Sequence, residues 1–111
     1  MCVSNVDDHL RNHGFMLDPS GAGWALAPAY DLNPVARGNG LVLNVDETDN
    51  AQDLDLARSV AEFFRLKPGR AETIVHEVVA AVKTWKREAM ASGIPRAQQE
   101  RMANAFRLVD R

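Results

Sequence analysis

The residues best suited to chemistry lie at the N-terminus, in the segment Asn5-Val-Asp-Asp-His-Leu-Arg-Asn12. Asp7 stands five residues before Asn12, and Asp31 follows beyond a stretch typical of a hairpin. This order is typical of phosphoryl transfer, in which one carboxylate accepts the proton of the substrate hydroxyl while an amide oxygen and a later carboxylate hold magnesium. The sequence therefore predicts Asp7 as the catalytic residue and Asn12 and Asp31 as metal ligands.

Two other interpretations fit the same segment. Asp and Asn are common in turns, so the spacing alone also fits a polar turn that leads into a strand. His9 and His13 stand four residues apart and would pair as zinc ligands on a helix, which would make the protein a metal hydrolase. The zinc-protease motif, however, needs a Glu directly after its first His, and Leu10 occupies that position. We expect His9 to orient the loop.

The elements that position these residues change character along the chain. Segment 1–49 is rich in Gly, Pro, Asn and Asp. It predicts a hairpin with strands at 14–17 and 24–27 around a turn at 18–23, because Pro19 and the glycines suit a turn. Residues 41–45 are apolar enough for a further short strand. The hairpin would return Asp31 to the loop that carries Asp7.

Segment 50–111 has the apolar periodicity of amphipathic helices. We expect helices at about 51–66, 69–91 and 95–108, the first capped by Asn50, with Gly93 and Pro95 between the last two. The hairpin is then expected to pack on a bundle of three to four helices, in a mainly α fold. The predicted buried stripes are Ala57, Val60, Ala61 and Phe64; Ala71, Ile74, Val75, Val78, Val82, Trp85 and Ala89; and Met102, Phe106 and Val109.

Composition sets outer limits on the function. The chain has 111 residues, 46% of them hydrophobic and 25% charged, with a formal net charge of -2. These values predict a single globular domain over residues 1–111 and argue against a protein dominated by nonspecific nucleic-acid binding. The lone Cys2 favours a reducing compartment, so we expect a cytoplasmic protein. No apolar stretch is long enough to predict a membrane span.

The loop and the later stretch Trp24-Ala-Leu-Ala-Pro-Ala-Tyr-Asp-Leu-Asn-Pro34 resemble the C-terminal region of HipA-like serine/threonine kinases, the toxins of bacterial HipA–HipB modules. The resemblance extends over the helical part. It implies part of a protein-kinase-like C-lobe, ATP and Mg²⁺ as cofactors, and a protein substrate. It also implies Asp7 as the catalytic aspartate, Asn12 and Asp31 as magnesium ligands, and His9 with Asn5 as loop support.

The family's ATP-gripping lobe has no counterpart in the sequence. We therefore expect a C-terminal fragment that is inactive alone, with a missing N-terminal kinase lobe or a HipB-like antitoxin as its partner. The alternative is a non-catalytic binding or oligomerisation module, a pseudokinase remnant. In either case we expect a homo-oligomer formed through the N-terminal hairpin region, whose apolar residues are Val3, Val6, Phe15, Leu17, Trp24 and Leu26.

Overall fold

The computed structural model of the protein describes residues 1–38 and 40–110. Its regular elements are a hairpin of β1 (Phe15–Leu17) and β2 (Trp24–Leu26), followed by the helices α1 (Leu54–Ser59), α2 (Pro68–Val82), α3 (Trp85–Ala91) and α4 (Arg96–Met102). Short 3₁₀ helices lie at Leu10–Asn12, Ala61–Phe64 and Ala103–Phe106. The protein is therefore mainly helical with one antiparallel hairpin, as predicted. No helix among the described residues has both the length and the apolar character needed to cross a membrane.

The hairpin forms where the sequence predicts it. Phe15 pairs with Leu26 and Leu17 with Trp24, and the turn is closed by a hydrogen bond of 2.8 Å from the Asp18 N–H to the Gly23 carbonyl. Residues directly opposite one another in an antiparallel pair share a face. These four large apolar side chains therefore form one continuous face, which we call the hairpin face.

The prediction that the hairpin packs on the helices is wrong for its strand side chains. All six strand residues are exposed, and the side chain of Trp24 retains most of its accessible surface. Each strand has only three residues, and a long irregular segment separates β2 from α1. Nothing among the described residues therefore covers the hairpin face.

The stretch 41–45 forms no strand. The Leu41 N–H donates to the Asn50 backbone carbonyl at 2.9 Å. The Asn50 side-chain amide donates in turn to the Leu41 carbonyl at 2.7 Å. The Val42 N–H donates to the Val6 carbonyl at 3.0 Å. This run is thus bonded to the N-terminal loop. Asn50, already committed to Leu41, does not cap α1; the Asp53 carboxylate does, accepting from the Asp55 N–H at 2.6 Å.

The helices are shorter than the periodicity predicts. The first α-helix ends at Ser59, and a 3₁₀ helix follows it at Ala61–Phe64. This 3₁₀ helix ends at Arg65, which adopts a left-handed φ of 59°. The second divides into α2 and α3, because Thr84 bends the chain and its hydroxyl bonds back to the Ala81 carbonyl at 2.9 Å. The last splits into α4 and a 3₁₀ helix. The predicted stop at Gly93 is confirmed: its N–H and that of Ile94 bond back to α3 carbonyls, as in a Schellman motif.

The break before α3 places Trp85 in the core. Its ring is buried and stacks on Phe106, with centroids 4.3 Å apart and planes 9° from parallel. Ala105, which precedes Phe106 in the sequence, is fully buried, and Val109 is 1% exposed. The other buried apolar residues are Cys2, Val60, Ala61 and Ala71. Burial raises the pKa of the Cys2 thiol above its ordinary value, which keeps the thiol neutral.

Two residues of the predicted stripes are exposed, and several others are only half-buried. Phe64 is 70% exposed and Val78 is 43% exposed. Phe64 lies in the 3₁₀ helix after α1 and Val78 lies within α2. An ion pair contributes to the packing of α1 on α2: the Arg58 guanidinium donates to both Glu72 carboxylate oxygens at 2.7 and 3.1 Å, and these bonds lower the pKa of Glu72.

We expect Val109→Asp to unfold the domain and Val78→Asp to change its stability little. A carboxylate at position 109 would be buried without a partner, and this costs several kcal/mol against a total stability of about 5–15 kcal/mol. At position 78 the charge would remain in water. Thermal unfolding followed by circular dichroism compares the two variants directly. If Val78→Asp unfolded the protein and Val109→Asp did not, this assignment of the core would be wrong.

Candidate functional site

The N-terminal loop is closed by the side chain of Asn12. Asn12 is buried, and its Oδ1 accepts a hydrogen bond of 3.1 Å from the backbone N–H of His9. This bond spans the 3₁₀ helix Leu10–Asn12, so the amide satisfies a donor that the short helix leaves free. The loop that follows Asp7 therefore has a fixed end.

The other end of the Asn12 amide reaches Asp31. Its Nδ2 donates to Asp31 Oδ2 at 2.8 Å, although the two residues are 19 positions apart. The reverse orientation of the amide would set an N–H against the His9 N–H and an oxygen against a carboxylate, so the two partners fix how the amide is turned. The structure therefore brings together the two residues predicted to hold magnesium.

Asp31 adopts an uncommon backbone conformation. Its φ is 57°, in the left-handed region that Asp tolerates better than most residues. Its side chain is exposed, and its Oδ1 accepts from Asn33 Nδ2 at 2.5 Å. Residues held in such a region cluster at functional sites, where the surrounding contacts determine the conformation. The two carboxylate oxygens are thus oriented by Asn12 and Asn33.

Tyr30 forms a second connection between the same two segments. Its hydroxyl donates to the Arg11 carbonyl at 2.8 Å. No role is predicted for Tyr30 from the sequence, although it directly precedes Asp31 and belongs to the motif on which the family resemblance depends. The available signal in the sequence was its position directly before Asp31, from which a tyrosine hydroxyl can reach the loop. Consecutive residues, Tyr30 and Asp31, therefore hold consecutive residues, Arg11 and Asn12.

Asp7 lies on the same loop and is exposed. Within the described part of the chain, the hydrogen bonds that join Asn12 and Asp31 do not include the Asp7 carboxylate. Asn5, proposed as loop support, is buried. The loop thus leaves Asp7 open to solvent between two buried asparagines.

The histidines do not form the predicted alternative zinc site. The exposed His13 pairs with Asp8, with 3.1 Å between Nε2 and Oδ1. The His9 Nδ1 is buried and has no hydrogen-bond partner in the part of the chain that the structure covers. Over residues 1–38 and 40–110, no three His, Cys, Asp or Glu side chains gather in an arrangement suited to a metal ion. The supporting role of His9 stays a prediction.

The pair of Asn12 and Asp31 fits the requirements of Mg²⁺ in its donor chemistry. Magnesium takes oxygen ligands and is usually bound by one or two protein groups, with water or phosphate filling the rest of its shell. The exposed Asp31 carboxylate and the Asn12 carbonyl oxygen are such groups. In the structure the Asn12 Oδ1 accepts from the His9 N–H and the amide N–H faces Asp31, so joint coordination requires both hydrogen bonds to be exchanged for bonds to the metal.

Backbone hydrogen bonds set the spacing of the two segments behind the site. The Val35 N–H donates to the Ser4 carbonyl at 3.2 Å. Gly38 packs against Val6 so closely that an added Cβ would lie 3.2 Å from a Val6 methyl carbon. A side chain at position 38 would therefore push the segment after Asp31 away from the loop.

The chain was compared with known protein families, curated proteins and solved structures. The family model described as the HipA-like C-terminal domain matches residues 1–86. No curated protein and no solved structure matches the chain significantly. The matched region contains the loop, the hairpin, Asp31 and the helices α1 and α2.

We expect Asn12→Ala to destabilise the protein and Asp7→Ala to leave it as stable or slightly more stable. Asn12 is buried with a hydrogen bond at each end, and an unmade bond in a buried position costs about 1–3 kcal/mol. Asp7 is exposed and lies beside Asp8, so its removal relieves repulsion between carboxylates. Thermal unfolding without divalent metal tests both variants. A larger loss for Asp7→Ala would contradict this description of the loop.

Proposed function

The chain belongs to the HipA-like C-terminal domain family, and on that basis we propose that it is the catalytic-loop and magnesium-binding part of a HipA-like serine/threonine protein kinase. The observation that carries the proposal is the hydrogen bond between Asn12 and Asp31. It joins the two residue types that hold magnesium in phosphoryl transfer, at the end of a loop that also carries an exposed aspartate.

Each residue has a distinct role in this proposal. The Asp7 carboxylate accepts the proton of the serine or threonine hydroxyl of a protein substrate, for which its exposure gives access. Asn12 and Asp31 hold magnesium, which neutralises charge on the phosphate oxygens when it is bound. His9 and Asn5 keep the loop in place. Phosphoryl transfer depends mainly on positioning and electrostatics, so the fixed loop ends are part of the catalytic apparatus.

The fold supports the same assignment. A catalytic loop, a hairpin and a returning metal-binding aspartate, followed by helices, is the order of parts in a protein-kinase C-lobe, and we propose that the chain forms part of such a lobe. The family context is that of bacterial toxin–antitoxin kinases. A HipB-like antitoxin and a protein substrate are the partners that this function implies, with a cytoplasmic location.

The magnesium site is tested by titrating the 111-residue chain with Mn²⁺, which replaces Mg²⁺ and broadens nearby NMR signals. We expect broadening of the Asn12 side-chain amide and of the backbone signals around Asp31. Asp31→Asn should abolish it, because a neutral amide replaces the charged ligand. Glu47→Gln is the matched control, since it removes one exposed negative charge elsewhere. Equal broadening in wild type and Asp31→Asn would sink the proposal.

The same chain is expected to bind ATP only weakly by itself. The site described here offers carboxylates and amides, whereas a triphosphate also needs basic groups and a pocket for its base. Calorimetry with ATP and Mg²⁺ measures this. A micromolar dissociation constant corresponds to a binding free energy of about -8 kcal/mol. Such a value would contradict this expectation and reveal a nucleotide site elsewhere on the chain.

The exposed hairpin face favours a second function, a binding or oligomerisation module without catalysis. Its aromatic residues, Phe15 and Trp24, are 66% and 71% exposed, and Leu17 and Leu26 are also mostly exposed. Large contiguous apolar patches mark interaction surfaces, and both edges of a two-stranded sheet have unpaired backbone groups. We propose that this face contacts a second copy of the chain, a HipB-like antitoxin or a kinase N-terminal lobe.

We expect the isolated chain to self-associate through the hairpin face, burying about 1,000 Å² or more if the contact is specific. Trp24→Ser should shift the chain toward the monomer because it removes the largest side chain of this face. Phe63→Ser is the matched control, since Phe63 is equally exposed but lies in the 3₁₀ helix after α1. Light scattering over a concentration series gives the mass. A wild-type monomer at high concentration would rule out self-association.

A further inference from the structure

One short segment near the C-terminus holds both parts of the proposed site. We call residues 103–107 the C-terminal clamp. Arg107 Nη1 donates to the Ser4 hydroxyl at 2.9 Å, at the start of the catalytic loop. Asn104 Nδ2 donates to the Ala36 carbonyl at 2.7 Å, in the segment that follows Asp31. The loop and the metal-binding segment are therefore tied to the same support.

Ser4 is the point at which these two segments meet. It is fully buried and has a left-handed φ of 45°. Its hydroxyl accepts from Arg107, and its carbonyl accepts from the Val35 N–H at 3.2 Å. A serine in this strained conformation persists only when the surrounding contacts determine it. The position of Ser4 therefore controls the separation between the Asp7 loop and the segment after Asp31.

The Arg107 guanidinium suits this task because it bonds several segments at once. It also donates to Gln52 Oε1 at 3.0 Å and to the Asn104 carbonyl at 3.2 Å. A planar guanidinium presents several donors in a fixed fork, whereas a lysine ammonium on a flexible stem does not reproduce that geometry. Within residues 1–38 and 40–110, the ion pairs of the protein do not include Arg107. Its charge is used on neutral acceptors from three parts of the chain.

The clamp itself is anchored in the core. Ala105 is fully buried, and Phe106 stacks on Trp85. Val109, two residues after Arg107, is 1% exposed. The clamp thus adjoins the core, and it holds the fully buried Ser4 of the loop together with the segment after Asp31, whose residues 32–34 are exposed. The hydrogen bonds from Arg107 and Asn104 therefore connect the site segments to the core.

We propose that Arg107 is a positioning residue of the catalytic site, which sets the distance between the Asp7 loop and Asp31 through Ser4. This inference rests on the proposed kinase function. Arg107 also lies outside residues 1–86, the region that the family model matches. The inference therefore assigns a role in the site to a segment beyond the recognised domain.

The test compares Arg107→Met with Arg101→Met, the same substitution at an exposed position on α4. Amide hydrogen exchange is measured by NMR at Val35 and His9, whose N–H groups bond to Ser4 and Asn12, and across α2 as an internal reference. We expect Arg107→Met to accelerate exchange at the two site amides about tenfold or more, with little change in α2. We expect Arg101→Met to leave both regions unchanged, and Arg107→Lys to restore protection only in part.

Ser4→Ala provides an independent check if Arg107→Met does not fold. It removes only the hydroxyl that accepts from Arg107 and should accelerate the same two amides. Unchanged exchange at Val35 and His9 would show that Arg107 does not hold the site. Equal acceleration across α2 would show that Arg107 serves general stability. Either result would overturn the inference.

The Mn²⁺ titration separates this inference from the proposed function. Weaker Mn²⁺ binding in Arg107→Met together with faster site exchange supports both. If Asp31→Asn abolishes Mn²⁺ binding while Arg107→Met keeps wild-type binding and exchange, the kinase proposal stands and the clamp is wrong. If wild type binds no Mn²⁺ but the site amides still respond to Arg107→Met, the clamp geometry is supported and the proposed function fails.

Discussion

The hydrogen bond from Arg107 to Ser4 joins residues 103 positions apart and connects the first residues of the chain to its last helical segment. It brings the N-terminal loop onto the C-terminal core, where Trp85 and Phe106 stack. A hydrogen bond from a charged donor contributes about 1.5–3 kcal/mol, a sizeable part of a total stability of about 5–15 kcal/mol. A small core leaves such polar contacts to determine where the irregular segments lie.

The candidate site is held together by the same kind of interaction. Asn12 bonds the loop at one end and Asp31 at the other, and Tyr30 adds a second bond to the Arg11 carbonyl. Hydrogen bonds therefore hold these segments together, whereas apolar packing does so in the core. Such a network leaves the carboxylates accessible to solvent while their supports stay fixed, which suits a reaction governed by positioning and electrostatics.

The hairpin shows the opposite balance. Its strands pair in the register that the turn dictates, yet the hairpin face remains uncovered among the described residues. Two three-residue strands form no interior of their own, so this face either stays in water or meets another molecule. The same segment that returns Asp31 to the loop thus also presents four large exposed apolar side chains.

The sequence by itself determined those features that depend on a short stretch of chain. Turn residues predicted the hairpin, Gly93 predicted a helix end, and motif order predicted that Asn12 and Asp31 would meet, because these signals lie within a few residues or one hairpin. Tertiary structure alone decided which periodic positions are buried and where the long helix breaks to bury Trp85. It also decided that Asn50 bonds Leu41 and does not cap α1. It alone placed Arg107 against Ser4, since local propensity carries no information about a contact between the two ends of a chain.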